Sequence, residues 1–163
     1  MGERSGYTIK LVRENDIEVL TGIFSKTFSE ADKEKSWDME HSKKYLLYWL
    51  KKQPDMFFGA FDSDGKPVGA MAVNIKPWRI GTRCTDAVIF VDAEHQGQGI
   101  AKLLFKKVIE EAMSEYGATS FEAATFANKE FPLSWYKKIG INPDKNTVLI
   151  KGKCSDILNN LSK

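Results

Sequence analysis

The sequence predicts an α/β fold, a mixed central β-sheet flanked by helices in the order β-α-α-β-β-β-α-β-α-β. Three observations carry that expectation. Short β-rich runs are interleaved with longer segments whose apolar residues return at helical spacing. One run, Val88 to Val91, is apolar at every position, as expected of a strand covered on both faces. It leads through a turn containing Gly97 and Gly99 into the most regular helical pattern in the chain.

The elements follow in order. Tyr7 to Val12 alternates apolar and polar residues and predicts a strand; Asn15 or Asp16 then offers a cap for a helix carrying Ile17, Leu20, Ile23, Phe24 and Phe28. A charged loop, "SEADKEKSWDMEHS", precedes "SKKYLLYWLKK", where Tyr45, Leu46, Trp49 and Leu50 share one helical face that ends near Pro54. "MFFGAF" and "PVGAMAVNI" form a hairpin around "DSDGK", in which Gly65 supplies a positive φ. Thr82 to Val91 is the next strand, central in the sheet. After Gly99, Ile100, Leu103, Leu104, Val108, Ile109 and Ala112 recur at helical spacing, with Lys106–Glu110 and Lys107–Glu111 as i,i+4 pairs on the wet side. "TSFEAATF" predicts a strand, "PLSWYKKIG" a short helix started by Pro132 and stopped by Gly140, and "TVLIKGK" a last strand.

A chain of 163 residues fits one domain, 1–163, large enough to bury a core without staples. No apolar run is long enough for a membrane span or signal segment, so the expected location is the cytoplasm, with no membrane partner. Cys84 and Cys154 are isolated, and the only histidines, His41 and His95, lie far apart, so no disulfide framework or metal site is expected. The net charge of +2 comes from interspersed signs without an arginine-rich block, which leaves no electrostatic footprint for nucleic acid.

Glycines just ahead of a helix let the backbone close around an anion, because the first helical N–H groups are unpaired and the helix dipole is positive there. A tight strand-to-helix turn is the simpler use of the same residues. Two phosphate motifs fail: Gly99 is followed by Ile100, Ala101 and Lys102 rather than Lys-Ser/Thr, and Lys102 stands where a dinucleotide fingerprint needs glycine. Gln-x-x-Gly-x-Ala, Gln96 to Ala101, does fit after "VIFV". Here the chain resembles the GNAT superfamily of acetyl-CoA-dependent N-acetyltransferases, whose pyrophosphate loop is Arg/Gln-x-x-Gly-x-Gly/Ala between the fourth strand and third helix. "WYKKIGI" resembles the family's Tyr-x-x-x-Gly-Phe segment, with Tyr136 and Gly140 in register. The likeness covers roughly Tyr7 to Lys151. It departs at Ala101, where glycine is commoner, at Ile141, where phenylalanine is usual, and at Asn128, one residue further from Tyr136 than usual.

The resemblance implies acetyl-CoA as co-substrate and direct transfer of its acetyl group, in a ternary complex, to a primary amine of a small molecule or protein. Such chemistry has a protonation problem. An amine of pKa about 10.4 is neutral only about once in a thousand molecules at pH 7.4, roughly 4 kcal/mol uphill. The site needs a base, a donor for the oxyanion and an acid for the departing thiolate. By resemblance, the backbone of Phe90 and Val91 would pair with the pantetheine arm, Gln96, Gly97, Gln98, Gly99, Ile100, Ala101 and Lys102 would hold the pyrophosphate, Asn128 would contact CoA, and Tyr136 would protonate the sulfur. The plainer reading of Tyr136 is a core aromatic beside Trp135, but its register with Gly140 favours the catalytic one. For the base, Asp86 is the only carboxylate inside the fourth strand, with Glu122 as rival and a water chain as substitute for either; Asp86 as a mere polar strand residue is an equal reading. Cys84 is read as a buried thiol and Lys106 and Lys107 as a solvated face.

In this fold the acceptor would lie against Glu30 to Glu40 and around Trp78. The loop sets Glu30, Asp32, Glu34, Asp38 and Glu40 against Lys33 and Lys35, with Trp37 among them, so carboxylates and an aromatic face could hold a cationic amine. A solvated loop with Trp37 packed on the core is the competing reading. A catalytically inactive acyl-CoA-binding or sensing module is the alternative to an enzyme, and retention of Tyr136 favours the enzyme. Homodimerisation is common in relatives.

Overall fold

A computed structural model describes residues 6–33 and 36–162. Among them β1 (Thr8–Leu11), β2 (Phe57–Phe61), β3 (Pro67–Pro77), β4 (Thr82–Val91) and β5 (Ala118–Phe121) lie side by side in that order. Every neighbouring pair is antiparallel except β4 and β5, which run parallel. The mixed sheet and flanking helices agree with the predicted α/β class. By contacts the chain forms two units, one reaching to Ala123 and one beginning at Ala124.

In the first unit α1 (Ile17–Ala31) and α2 (Met39–Lys52) cover one face of the sheet. Leu20, Phe24, Leu46 and Trp49 pack there with Ala70, Ala72, Val88 and Phe90. Burying each large apolar side chain in this layer contributes about 1.5–3 kcal/mol. Alternation turns Met71 and Phe58 to the opposite face, where Lys107 of α3 (Ile100–Tyr116) lies 5.4 Å from the Phe58 ring centroid. The local signals read from the sequence act much as expected. Asp62 Oδ1 accepts from the N–H groups of Asp64 and Lys66, and Gly65 turns the hairpin with φ +78°. Asp16 precedes α1, yet its carboxylate turns back to the Arg13 N–H at 2.8 Å. Asp38 caps α2 by accepting from the His41 N–H at 2.7 Å, so that helix starts earlier than its apolar face suggests.

β5 stops at Phe121, short of the run predicted to Phe126. In the second unit α4 (Glu130–Lys138) has an extended residue, Phe131, inside it, so helical geometry begins at Pro132; Gly140 ends the segment with φ +89°. The sequence predicts a last strand over "TVLIKGK"; no strand forms there, and α5 (Cys154–Leu161) follows instead. Val148, Leu149 and Ile150 have strand-like character but are exposed and unpaired. β-Propensity reflects packing against a neighbouring strand, and without one it does not make a ladder.

Candidate functional site

β4 organises the first unit's candidate site, because it leaves the sheet in two ways. Its parallel pairing with β5 reaches only as far as Cys84↔Phe121 and the bond from Glu122 N–H to Cys84 O, after which the strands part. Its antiparallel pairing with β3 carries a bulge. Ala72 pairs with Val88 and Asn74 with Thr85, which sets Asp86 and Ala87 opposite Val73 alone. Asp86 takes φ +54°, a left-handed conformation that a non-glycine residue adopts at a cost. The extra residue shifts the alternation, so that Val88 and Phe90 face α1 and α2. It also turns the exposed Asp86 carboxylate back toward the same face. Oδ2 accepts from Thr85 Oγ1 at 3.3 Å and from Asn74 Nδ2 at 3.5 Å.

Beyond the bulge the phase of the ladder decides which backbone groups are free. Asp92 N–H donates to Val68 O at 2.8 Å, so hydrogen-bonded pairs fall at Asp92:Val68, Phe90:Ala70 and Val88:Ala72. Phe90 therefore spends its backbone on β3. Ile89 and Val91 point theirs toward the side that β5 has vacated. Val91 O accepts from Gln96 Nε2 at 3.0 Å, which leaves its N–H. Of the predicted pair Phe90 and Val91, only Val91 keeps a backbone group for a ligand, and Ile89 joins it.

The turn after β4 offers a second set of donors. Gly97 and Gly99 take φ +76° and +81°, and a Cβ built on either would meet nothing within 4 Å. Among the described residues no backbone acceptor meets the N–H groups of Gly99, Ile100, Ala101 and Lys102; Leu103 N–H is the first to find one, on Gly99 O at 3.1 Å. Unpaired N–H groups at a helix start, beside two glycines with open surroundings, fit an anion. The two glutamines fasten the loop: Gln96 holds Val91 O, and Gln98 Oε1 accepts from Tyr7 Oη at 2.6 Å while its Nε2 donates to Glu94 O. Lys102 is exposed without an ion-pair partner among the described residues.

Tyr7 escaped the sequence reading, since nothing in a linear pattern links it to Gln98, ninety-one residues away. Tyr7→Phe removes the only side-chain hydrogen bond between the loop and the β1 region among the described residues while keeping the ring against His95. Losing one hydrogen bond should weaken acetyl-CoA binding about twofold to tenfold. Titration calorimetry checks this, and unchanged affinity would make the bond irrelevant to the loop.

The rival base Glu122 is bound elsewhere. Arg83 Nη1 donates to its carboxylate at 2.6 Å, and the Arg83 guanidinium also stacks 4.2 Å from the Trp78 ring centroid. Cys84 is buried and free, and burial pushes its thiol up, in keeping with an unreactive thiol. In the acceptor loop Trp37 packs with Phe24 and Tyr45, and its backbone is held by Ser25 and Ser29. Asp38 is the helix cap already described, with its carboxyl held below the usual range chiefly by the His41 N–H. Glu40 pairs with Lys44 at 2.5 Å. Glu34 and Lys35 lie outside the described residues. Asp38 and Glu40 are thus committed to a helix start and an ion pair.

In the second unit Tyr136 is half-buried, with its ring 5.5 Å from that of Trp135, and burial pushes its phenol up. Its carbonyl accepts from the N–H groups of Ile139 and Ile141, which fixes the turn at Gly140. Asn128 lies in an exposed turn before α4.

Comparison with known proteins places this arrangement. A family model described as the acetyltransferase (GNAT) family matches residues 18–141. An uncharacterized N-acetyltransferase of Methanocaldococcus jannaschii is 27% identical over 138 residues, covering 82% of this chain; the chain spans 60% of that relative's length. Among solved structures, a possible acetyltransferase from Clostridium difficile 630 superposes with a TM-score of 0.76 at 14% identity, covering 90% of this chain and 97% of that one. A ribosomal-protein-alanine N-acetyltransferase from Brucella melitensis gives 0.69 at 20% identity, covering 90% and 99%. A sheet that opens beyond Cys84, a glycine loop with unpaired N–H groups and a family match over most of the chain agree: this protein belongs to the acetyltransferase (GNAT) family.

Proposed function

We propose that the chain is an acetyl-CoA-dependent N-acetyltransferase, one domain over 1–163, that moves an acetyl group directly to a primary amine within a ternary complex in the cytoplasm. The observation that carries this reading is the coincidence of two sets of unspent donors on one strand and its turn. Ile89 and Val91 face the gap left by β5, and Gly99 to Lys102 have no backbone acceptor at the start of α3. An amide-bearing arm ending in a pyrophosphate needs donors of both kinds, in that order along its length.

In this mechanism acetyl-CoA supplies the activated acyl group as a thioester. Gly97, Gly99, Ile100, Ala101 and Lys102 hold the pyrophosphate, with Gln96 and Gln98 fixing the loop rather than touching the anion. The Ile89 and Val91 backbone aligns the arm. Asp86 accepts one proton from the acceptor ammonium, the freed lone pair forms a bond to the thioester carbonyl carbon, and the C–S bond breaks as the nitrogen sheds a second proton to solvent. Tyr136 gives its proton to the departing sulfur, a task open to a phenol, which is protonated at neutral pH and whose pKa burial raises further. Asp86 is preferred over Glu122 because Glu122 is committed to Arg83. Asn128 is an auxiliary contact to CoA. Acceptors of the reaction are small-molecule or protein amines; neither nucleic acid nor membrane is a partner, and a homodimer is compatible with the reading.

A thermal unfolding scan with acetyl-CoA, and with ATP and NAD as controls, tests the assignment. At a concentration one hundredfold above Kd, binding adds about 2.7 kcal/mol, worth roughly 5–10 °C for a domain of this size. A rise with acetyl-CoA alone supports the reading. No rise at saturating concentrations overturns it, and a rise without thiol release for any amine leaves a CoA-binding module that does not catalyse.

A further inference from the structure

The row of small residues beneath α1 and α2 ends on a polar pair. Alternation along β3 puts Asn74 on the same side of the sheet as Ala70 and Ala72, and Thr85 lies opposite it on β4, 3% exposed. An apolar residue at either position would simply extend the row. Instead the two side chains close a small network on the bulge residue. Thr85 Oγ1 donates to Asp86 Oδ2 at 3.3 Å, and Asn74 Nδ2 donates to the same oxygen at 3.5 Å and to Thr85 Oγ1 at 3.4 Å.

Chemistry fixes the direction of each bond. A carboxylate only accepts, so the amide must present its nitrogen and the hydroxyl its proton. The hydroxyl lone pairs are then left for the second N–H of the amide. Each contact is longer than the optimum, so the hold comes from the closure of three bonds rather than from one strong one. Among the described residues neither Asn74 nor Thr85 makes a side-chain hydrogen bond outside this triad.

Both bonds to the carboxylate fall on Oδ2, and no hydrogen bond among the described residues reaches Oδ1. One oxygen is anchored while the other is left to accept. Neither donor is charged, whereas the carboxylate of Glu122 is given to the Arg83 guanidinium. The negative charge of Asp86 thus stays available to an incoming ammonium. Its φ of +54° is a conformation that persists only where the surroundings support it.

We infer that Asn74 and Thr85 are positioning residues, which hold Asp86 by Oδ2 so that Oδ1 takes the proton of the acceptor ammonium. This rests on the acetyltransferase reading above, with Asp86 as its base. Both residues act through Asp86 and neither touches the substrate. Polar filling of a bulge is the competing role, and it would cost stability without depending on the Asp86 carboxylate.

Thiol release from saturating acetyl-CoA is measured first with putrescine, spermidine, glucosamine, the common amino acids and an alanyl peptide. The amine turned over fastest is carried through the variants. Thr85→Val removes one bond to Asp86 and should lower kcat about twofold to tenfold. Asn74→Ala removes two bonds of the triad and should lower it about tenfold to a hundredfold, with KM for acetyl-CoA unchanged. Thr85→Ser keeps the hydroxyl and should keep most of the rate. In an Asp86→Asn background neither Thr85→Val nor Asn74→Ala should lower kcat further, since the group they act through is gone. The deficit of Asn74→Ala should also shrink as pH rises toward the acceptor's own pKa, because more of the amine arrives neutral and the base is needed less. Wild-type kcat in Asn74→Ala, a deficit independent of pH, or a full additional loss in the Asp86→Asn background overturns the proposal.

The outcomes separate the two levels. Turnover lost in Asp86→Asn and untouched in Asn74→Ala defeats the positioning role alone. Turnover intact in Asp86→Asn removes Asp86 as the base, and the positioning role with it. No rise in melting temperature with acetyl-CoA, or no thiol release with any amine, defeats the acetyltransferase reading itself.

Discussion

Replacing Gly99 by valine is expected to abolish acetyl-CoA binding while leaving a folded protein. Gly99 sits at φ +81° immediately before α3, a conformation that costs an L-residue about 1–2 kcal/mol and a β-branched one more. No atom lies within 4 Å of the new Cβ, so the chain itself does not resist the side chain sterically. The new side chain stands at the start of α3 beside the unpaired N–H groups of Gly99 to Lys102. A charge-assisted hydrogen bond contributes about 1.5–3 kcal/mol, so denying two of them to a pyrophosphate should weaken binding roughly 10²- to 10⁴-fold. Gly117→Val is the matched control: Gly117 has φ +60°, open surroundings and a place at the other end of the same helix. Both variants should lose a few degrees of melting temperature, and only Gly99→Val should lose the stabilisation by acetyl-CoA. Equal retention of binding in the two would refute the loop as the pyrophosphate site.

Tyr136→Phe should lower kcat about 10²- to 10⁴-fold, the usual contribution of a general acid, with little change in acetyl-CoA affinity. The pH profile offers a sharper check. An acid must be protonated to act, so activity falls as pH rises through its pKa. Burial has moved that value upward for Tyr136, and the alkaline fall of the wild-type enzyme should therefore lie above the ordinary tyrosine range. In Tyr136→Phe that limb disappears. Turnover unchanged by the substitution would remove Tyr136 from the chemistry.

Much of the fold is legible residue by residue because its signals are local. The bounds of β4 match the run Thr82 to Val91, and Gly65, Gly99 and Gly140 turn the chain with the positive φ that their contexts demand. Pro132 begins regular helix in α4 for the same reason, its fixed φ. The last expected strand does not form because a strand depends on a partner that local sequence does not specify. "TVLIKGK" has strand chemistry and no ladder, and the helix over Cys154–Leu161 went unnoticed.

The candidate site divides along the same line. The sequence by itself determined the order of strand, glycine turn and helix from Val88 onward, and singled out Asp86, Tyr136 and the loop Gln96 to Lys102, since these depend on residue type and short spacing. Only the tertiary structure decided which backbone groups remain free. A bulge opposite Val73 moves Phe90 onto β3 and gives its expected place to Ile89, and it turns Asp86 toward Asn74. Tertiary contacts also committed Glu122 to Arg83 and tied Gln98 to Tyr7. Those outcomes depend on ladder phase and on contacts between residues tens of positions apart. Hydrophobic periodicity records which face of an element is buried, and it carries no information about which polar group across that face arrives first.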